Sequence, residues 1–239
     1  MPKTRGIFMA LRIFETDPAA RPKETFSDDT VGRFSGGKQE NGIPVTLPAW
    51  RVSTGDPEVA KAIAQLMGGE PEETDSTNEN FIDVETTTDK VKVVLTGVDA
   101  ISSDLKLWNG SNLIHHCDGV EFLSPEEDKG RPCGCPALME DRKAAAKSKR
   151  GPSPSISVEF RLAEDYDLGV FRLQTSSWKL AEVLHVIENS LIKVDGEALC
   201  LLELELVEYT TSKGRDVSYR KPVIRVIKAW NEAISDPKF

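Results

Sequence analysis

No stretch of this 239-residue sequence approaches the roughly 18 consecutive apolar residues of a membrane-spanning helix, so no membrane association is expected. Positive charge is also short: 30 Lys and Arg stand against 39 Asp and Glu, giving a net charge of −9. That balance argues against the broad basic surface through which nucleic acid is bound by counterion release. Nucleophile elbows of the Gly-x-Ser-x-Gly type, dinucleotide fingerprints and His-Glu-x-x-His are all missing, and no internal repeat is visible. An enzyme is therefore not expected, nor is a small-molecule substrate. Histidine and cysteine are scarce, at three and four residues.

What is present is an ordinary globular composition, 39% hydrophobic and 29% charged, long enough for one large domain or two small ones. The opening MPKTRGIFMALRIFETDP places basic residues before an apolar run, but Arg12 interrupts it and no small-residue cleavage site precedes Glu15 and Asp17. A secretory signal is rejected and a cytoplasmic location expected. The run Ile7 to Phe14 reads as a core strand in preference to a docking element.

The pattern predicts an α+β fold: a mixed or antiparallel β-rich body, a few helices and a small zinc-stapled loop. Residues 15–45 carry turn-forming residues and little periodicity, and read as an irregular surface segment. Within them GRFSGGKQ nearly matches a phosphate-binding loop, but Gln39 stands where a hydroxyl is needed and ENGIP cannot open a helix, so the match is read as coincidence. VTLPAWRVSTG suggests a strand leading to a helix capped by Asp56, opened by Pro57 and stopped by Gly68-Gly69. Glu70 to Asn80 reads as an acidic loop. Short β-like runs follow from Phe81, with Asn109-Gly110 as a hairpin turn. PALMEDRKAAAKSKR can form a short exposed helix, and GPSPS reads as a linker. Downstream, ISVEFRL, LGVFRLQT, a helix from Ser177 to about Asn189, ALCLLELELVEYT and VSYRKPVIRVIKAW give strand, strand, helix, strand, strand. Glu203, Glu205 and Glu208 are expected opposite Arg220, Lys221 and Arg225 as cross-strand ion pairs, and Pro222 marks an edge or a bulge. The division expected is an N-terminal region 1–141, a basic linker 142–154 and a C-terminal unit 155–239.

Three cysteines and two histidines fall in HHCDGVEFLSPEEDKGRPCGCP. Cys133 and Cys135 bracket one glycine that frees the backbone, Pro132 and Pro136 stiffen the turn, and fifteen residues separate Cys117 from Cys133. Thiolate and imidazole are the usual zinc donors. Two apart on a strand, His115 and Cys117 share a face that His116 does not, so the metal set is Cys117, Cys133, Cys135 and His115. Asp118 is a poorer fourth ligand. The competing reading leaves the cysteines reduced and unliganded. Cys200, in ALCLLEL, reads as a buried small hydrophobe, and His185 as an ordinary helix residue. The basic stretches 142–150 and Lys213 to Lys228 read as solvated faces, because they lack interleaved aromatics.

CDG, CGCP, the basic stretch after them and ISVEFRLAEDYDLGVFRLQTSSWKLAEVL together resemble the recombination directionality factors of Streptomyces temperate phages, and the likeness extends over nearly the whole chain. It departs from the family at Ser153 and Ser155, where a further cysteine is expected just before LGVFRLQTSSW. Either His115 takes that cysteine's place or the site lacks a fourth ligand. The resemblance implies a non-enzymatic accessory protein in the bacterial host cytoplasm. It would bind a large serine integrase directly, permit excision between the left and right hybrid sites and inhibit integration, meeting DNA only through the integrase. The alternative is a zinc-bearing nucleic-acid-binding protein of early phage replication, with Arg142 to Arg150 and the basic last strand on phosphate.

Overall fold

The computed structural model describes residues 30–40, 43–74, 79–212 and 214–235. The apolar run Ile7 to Phe14 lies outside them. The elements are β1 Gly32–Glu40, β2 Ile43–Thr54, α1 Pro57–Met67, β3 Pro71–Glu73, β4 Ile82–Glu85, β5 Lys90–Leu95, β6 Ile101–Asn109, β7 Asn112–Cys117 and β8 Phe122–Ser124. They continue with α2 Met139–Lys147, β9 Ser153–Leu162, β10 Phe171–Thr175, α3 Trp178–Ala181, α4 Leu184–Val194, β11 Ala198–Thr210, β12 Asp216–Ala229 and α5 Trp230–Ile234. The fold is α+β and mostly β, as the patterning predicts.

Among the described residues all twelve strands belong to one sheet, ordered β12-β11-β5-β9-β10-β1-β2-β4-β3, with β6, β7 and β8 branching from β9. Pairing is antiparallel except between β1 and β10. The first half of β9 pairs with β6 and its end pairs with β5, so hydrogen bonds join the regions 1–141 and 155–239. Of the stretch 142–154, residues 142–147 complete α2 and Ser153 opens β9, a correction to reading GPSPS as a linker.

Alternation builds the core. In β9, Pro154, Ile156, Val158, Phe160 and Leu162 are buried, whereas Glu159 is exposed and ion-paired with Arg172 of β10 at 2.7 Å. Phe34 meets Trp50, Phe160 and Phe171 edge-on at centroid distances of 5.8, 5.1 and 5.5 Å. Such pairs contribute about 0.5–1.5 kcal/mol each beyond burial. Val59, Ala60, Ile63 and Met67 of α1, and Leu180, Leu184, Ile187 and Leu191 of α3 and α4, close this core. Val94 and Leu199, one residue out of phase with core-facing Val93 and Cys200, point to the other face, where Ala233 of α5 covers them.

Asp56 caps α1 by accepting from the Glu58 amide at 2.8 Å, and Gly68 stops it at φ 76°. Several expectations need correction. Residues 32–40 are a strand, not an irregular segment: its inward positions alternate Gly32, Phe34 and Gly36, and a Cβ on Gly36 would stand 2.7 Å from Leu204 Cδ2. Leu204 thus occupies the space where periodicity asks for an apolar side chain on β1. Pro71–Glu73 of the acidic loop pairs with β4. The helix after Ser177 breaks at Glu182-Val183 into α3 and α4, although Ser177 caps it as expected, accepting from the Leu180 amide at 3.2 Å. The hairpin turn is Gly110-Ser111, with Gly110 at φ 61° and Asn109 paired to Asn112.

β12 lies at the end of the sheet, which accommodates Pro222. Glu203 pairs with Arg225 and Lys90, and Glu205 with Lys221 and Arg225, both at 2.9 Å. Arg220 instead contacts Asp89 at 3.2 Å, and Glu208 accepts from Ser218.

Candidate metal centre

β7 sets the first half of the site. Its pairing with β6 aligns Leu105 with Cys117 and Leu107 with His115, which fixes both donors on the face that β9 turns toward the core. His116 lies on the opposite face, its Nε2 2.8 Å from Asp104 Oδ2 and its Nδ1 2.8 Å from Ser124 Oγ. Sheet alternation thus separates the two histidines as the spacing predicts, and gives His116 structural partners.

A turn after β7 brings in the second half. The Asp118 carboxylate accepts from the amides of Val120 and Glu121 at 2.8 Å each, and these bonds hold its carboxyl below the usual range. Asp118 is therefore a turn cap, occupied by backbone instead of offered to a metal. The Cys133 amide donates to the Val120 carbonyl at 2.9 Å, docking the Cys-Gly-Cys loop against this turn, and Gly134 takes φ 70° between the two cysteines. Arg142 of α2 ties both loops together: its guanidinium donates to the Pro136 carbonyl at 2.5 Å and to the Gly119 carbonyl at 2.8 Å. Gly119 has φ 101°, and a Cβ there would stand 2.6 Å from the Arg142 guanidinium, so the glycine of Cys-Asp-Gly answers both turn geometry and this clamp.

The outcome is convergence. His115 Nε2 lies 3.1 Å from Cys117 Sγ and 3.4 Å from Cys135 Sγ; the two sulfurs are 3.7 Å apart; and with Cys133 all four donors fall within 4.8 Å of one another. A tetrahedral ion with bonds of zinc length would separate two sulfurs by about 3.8 Å and a sulfur from a nitrogen by about 3.6 Å. The spacing and the soft donor set fit a metal ion. Cys117 and Cys133 are buried, and His115 and Cys135 half-buried. Burial pushes the Cys117 thiol up to about 12 and raises Cys135, so bare thiolates would be poorly tolerated here without a cation. Burial, with His116 adding repulsion, lowers His115, favouring the neutral imidazole that ligates metal.

The sequence reading missed Arg142, which it assigned to a solvated basic stretch. Of that stretch, Lys143 is also engaged, with Glu182. Cys200 is fully buried in the body, its thiol pushed up to about 12, and His185 is exposed on α4; neither belongs to the cluster. Among the described residues no helix is long and apolar enough to cross a membrane.

No solved structure matches the chain. A family model does, over residues 31–227, from the first strand through the four-donor cluster and into β12. The chain therefore belongs to the Gp3-like family of recombination directionality factor-like proteins.

Proposed function

We propose that this protein is the directionality factor of a Streptomyces temperate phage, acting on a large serine integrase. The family match across residues 31–227 carries the reading, and the resemblance of CDG, CGCP and LGVFRLQTSSW to such factors sharpens it. The protein binds the integrase directly, allows excision between the left and right hybrid sites and suppresses integration. It performs no chemistry of its own, works in the host cytoplasm and meets DNA only through the integrase complex. A non-catalytic protein can redirect a recombinase only by binding one of its arrangements better than another, so the mechanism is a population shift. Its charge of −9 suits a partner that must be basic where it holds DNA, and opposite charges speed encounter.

In the same reading the four-donor cluster holds structural zinc, with His115, Cys117, Cys133 and Cys135 as ligands. When bound, zinc would supply the positive charge that lets buried thiolates exist and would lock the loops that Arg142 clamps. The nucleic-acid-binding alternative, which relied on Arg142 to Arg150 and the basic last strand, loses support: five of those cations, Arg142, Lys143, Arg220, Lys221 and Arg225, contact carbonyls or carboxylates within the chain.

The test is recombination with purified integrase. With the protein added, hybrid left and right sites should recombine and the integration reaction should slow. Undetectable excision together with unchanged integration, using the cognate integrase, would overturn the proposal.

A further inference from the structure

Two apolar side chains stand out in the segment around the four donors. Val120 and Leu138, at 70% and 67% exposure, are the most solvent-exposed large apolar side chains among the described residues. The segments that carry them are tied to one side chain, since Arg142 donates to the carbonyl of Gly119, just before Val120, and to that of Pro136, two residues before Leu138. Met139, next to Leu138 in the chain, is 41% exposed. Leu138 is also the N-cap of α2 and makes no side-chain capping bond there, where Ser, Thr, Asp or Asn would stabilise the helix. The helix itself has nine residues and none is buried, although helices that short are marginal in water without packing. One face of the helix, Arg142, Lys143, Ala145 and Ala146, is half-buried against the chain, whereas Leu138 at its start is poor as a cap and left in water, placed for contact with something else.

The surroundings specify the partner's charge. Residues 118–141 carry seven carboxylates, Asp118, Glu121, Glu126, Glu127, Asp128, Glu140 and Asp141, against Lys129 and Arg131. Glu121 follows Val120 and Glu140 and Asp141 follow Met139 in the chain, and all three are exposed. Phosphate is repelled by such a rim, whereas a basic amphipathic segment matches both the apolar centre and the acidic border.

We infer that Val120, Leu138 and Met139, bordered by Glu121, Glu140 and Asp141, form the surface that docks a basic amphipathic helix of the recombinase. The metal centre then acts as a rigid mount for it, since Cys117 and Cys133 bracket the Val120 turn and Cys135 precedes α2. This inference rests on the integrase-binding reading above.

The experiment measures affinity of the full-length, metal-loaded chain for purified integrase, with three variants. V120S/L138S should bind at least about tenfold more weakly while retaining its metal. E140K/D141K should associate more slowly and lose much of the salt dependence of binding. I192S, which removes a 61%-exposed apolar residue on α4, should bind like the parent. Parent-like binding by both lobe variants overturns the surface, as does an equal loss in I192S. A parent chain that fails to bind the integrase overturns the directionality reading and this surface with it. The charge-reversed pair replaces no ligand and no clamping residue, so a loss of metal in V120S/L138S alone still leaves E140K/D141K to decide.

Discussion

The sheet body and the lobe from Lys106 to Asp141 that carries the four candidate metal donors differ in what they have available to bury. In the body, Phe34, Trp50, Phe160, Phe171 and the apolar faces of α1 and α4 form one continuous cluster. Each large side chain there contributes roughly 2–3 kcal/mol by burial. Between Lys106 and Asp141 the buried apolar side chains are Cys117 and Cys133, and the rest of the lobe relies on turn hydrogen bonds, the Arg142 clamp and the strand pairing of β6 through β8. A segment with so little to bury needs another source of order, and four converging donors offer one. The body should therefore be indifferent to metal, and the lobe should not.

That contrast can be broken most severely from the lobe side. C133S should drop bound metal from about one ion per chain to less than a tenth, read by elemental analysis of protein purified without chelator, because a structural site depends on all of its thiolates. H115A should weaken binding, whereas H116A should keep the ion, since His116 is held by Asp104 and Ser124 on the other face. From the body side, F34A should cost about 3–5 kcal/mol in urea unfolding and leave the metal ratio unchanged. R142M should lower metal affinity by about 10–100-fold in competition with a chelator, as loss of a supporting residue around a site does, with little change in the unfolding midpoint.

The smallest effect sharpens the comparison through pH. Burial pushes the Glu203 carboxyl up, but bonds from Arg225 and Lys90 more than reverse this and hold it below its ordinary value of 4.5. A depressed folded value contributes stability above the ordinary value and loses it as pH falls through the folded one. E203Q should therefore be about 1–2 kcal/mol less stable than the parent at pH 7, a figure kept small by the partly exposed partners. The gap should narrow as unfolding is repeated below about pH 4. A gap that widens toward acid would contradict the assignment.

How legible each region was follows from the same contrast. Body strands such as β9 and β11 declare themselves by alternation or by apolar runs, and α1 by its Asp56-Pro57 start. β1 stayed hidden because glycine stands at an inward position whose space Leu204 fills, from a strand about 170 residues away in sequence. In the lobe, spacing alone chose His115 over His116, since alternation is a local rule. Arg142 was not legible: a clamp on two carbonyls depends on where separate loops end, and nothing in RKAAAKSKR distinguishes its first residue from its other cations. The break between α3 and α4 was equally silent, because Leu180, Leu184, Ile187 and Leu191 keep helical spacing through it and all four are buried.

Hydrogen exchange of the metal-loaded and chelated protein tests the contrast most directly. On chelation the amides that close the lobe, those of Cys133, Phe122 and Gly130, should lose protection, while those of Val158, Leu173 and Leu202 in the body keep theirs. Equal protection in both regions before and after chelation, or loss spreading into the body strands, would contradict a lobe organised by its metal on a body organised by its core.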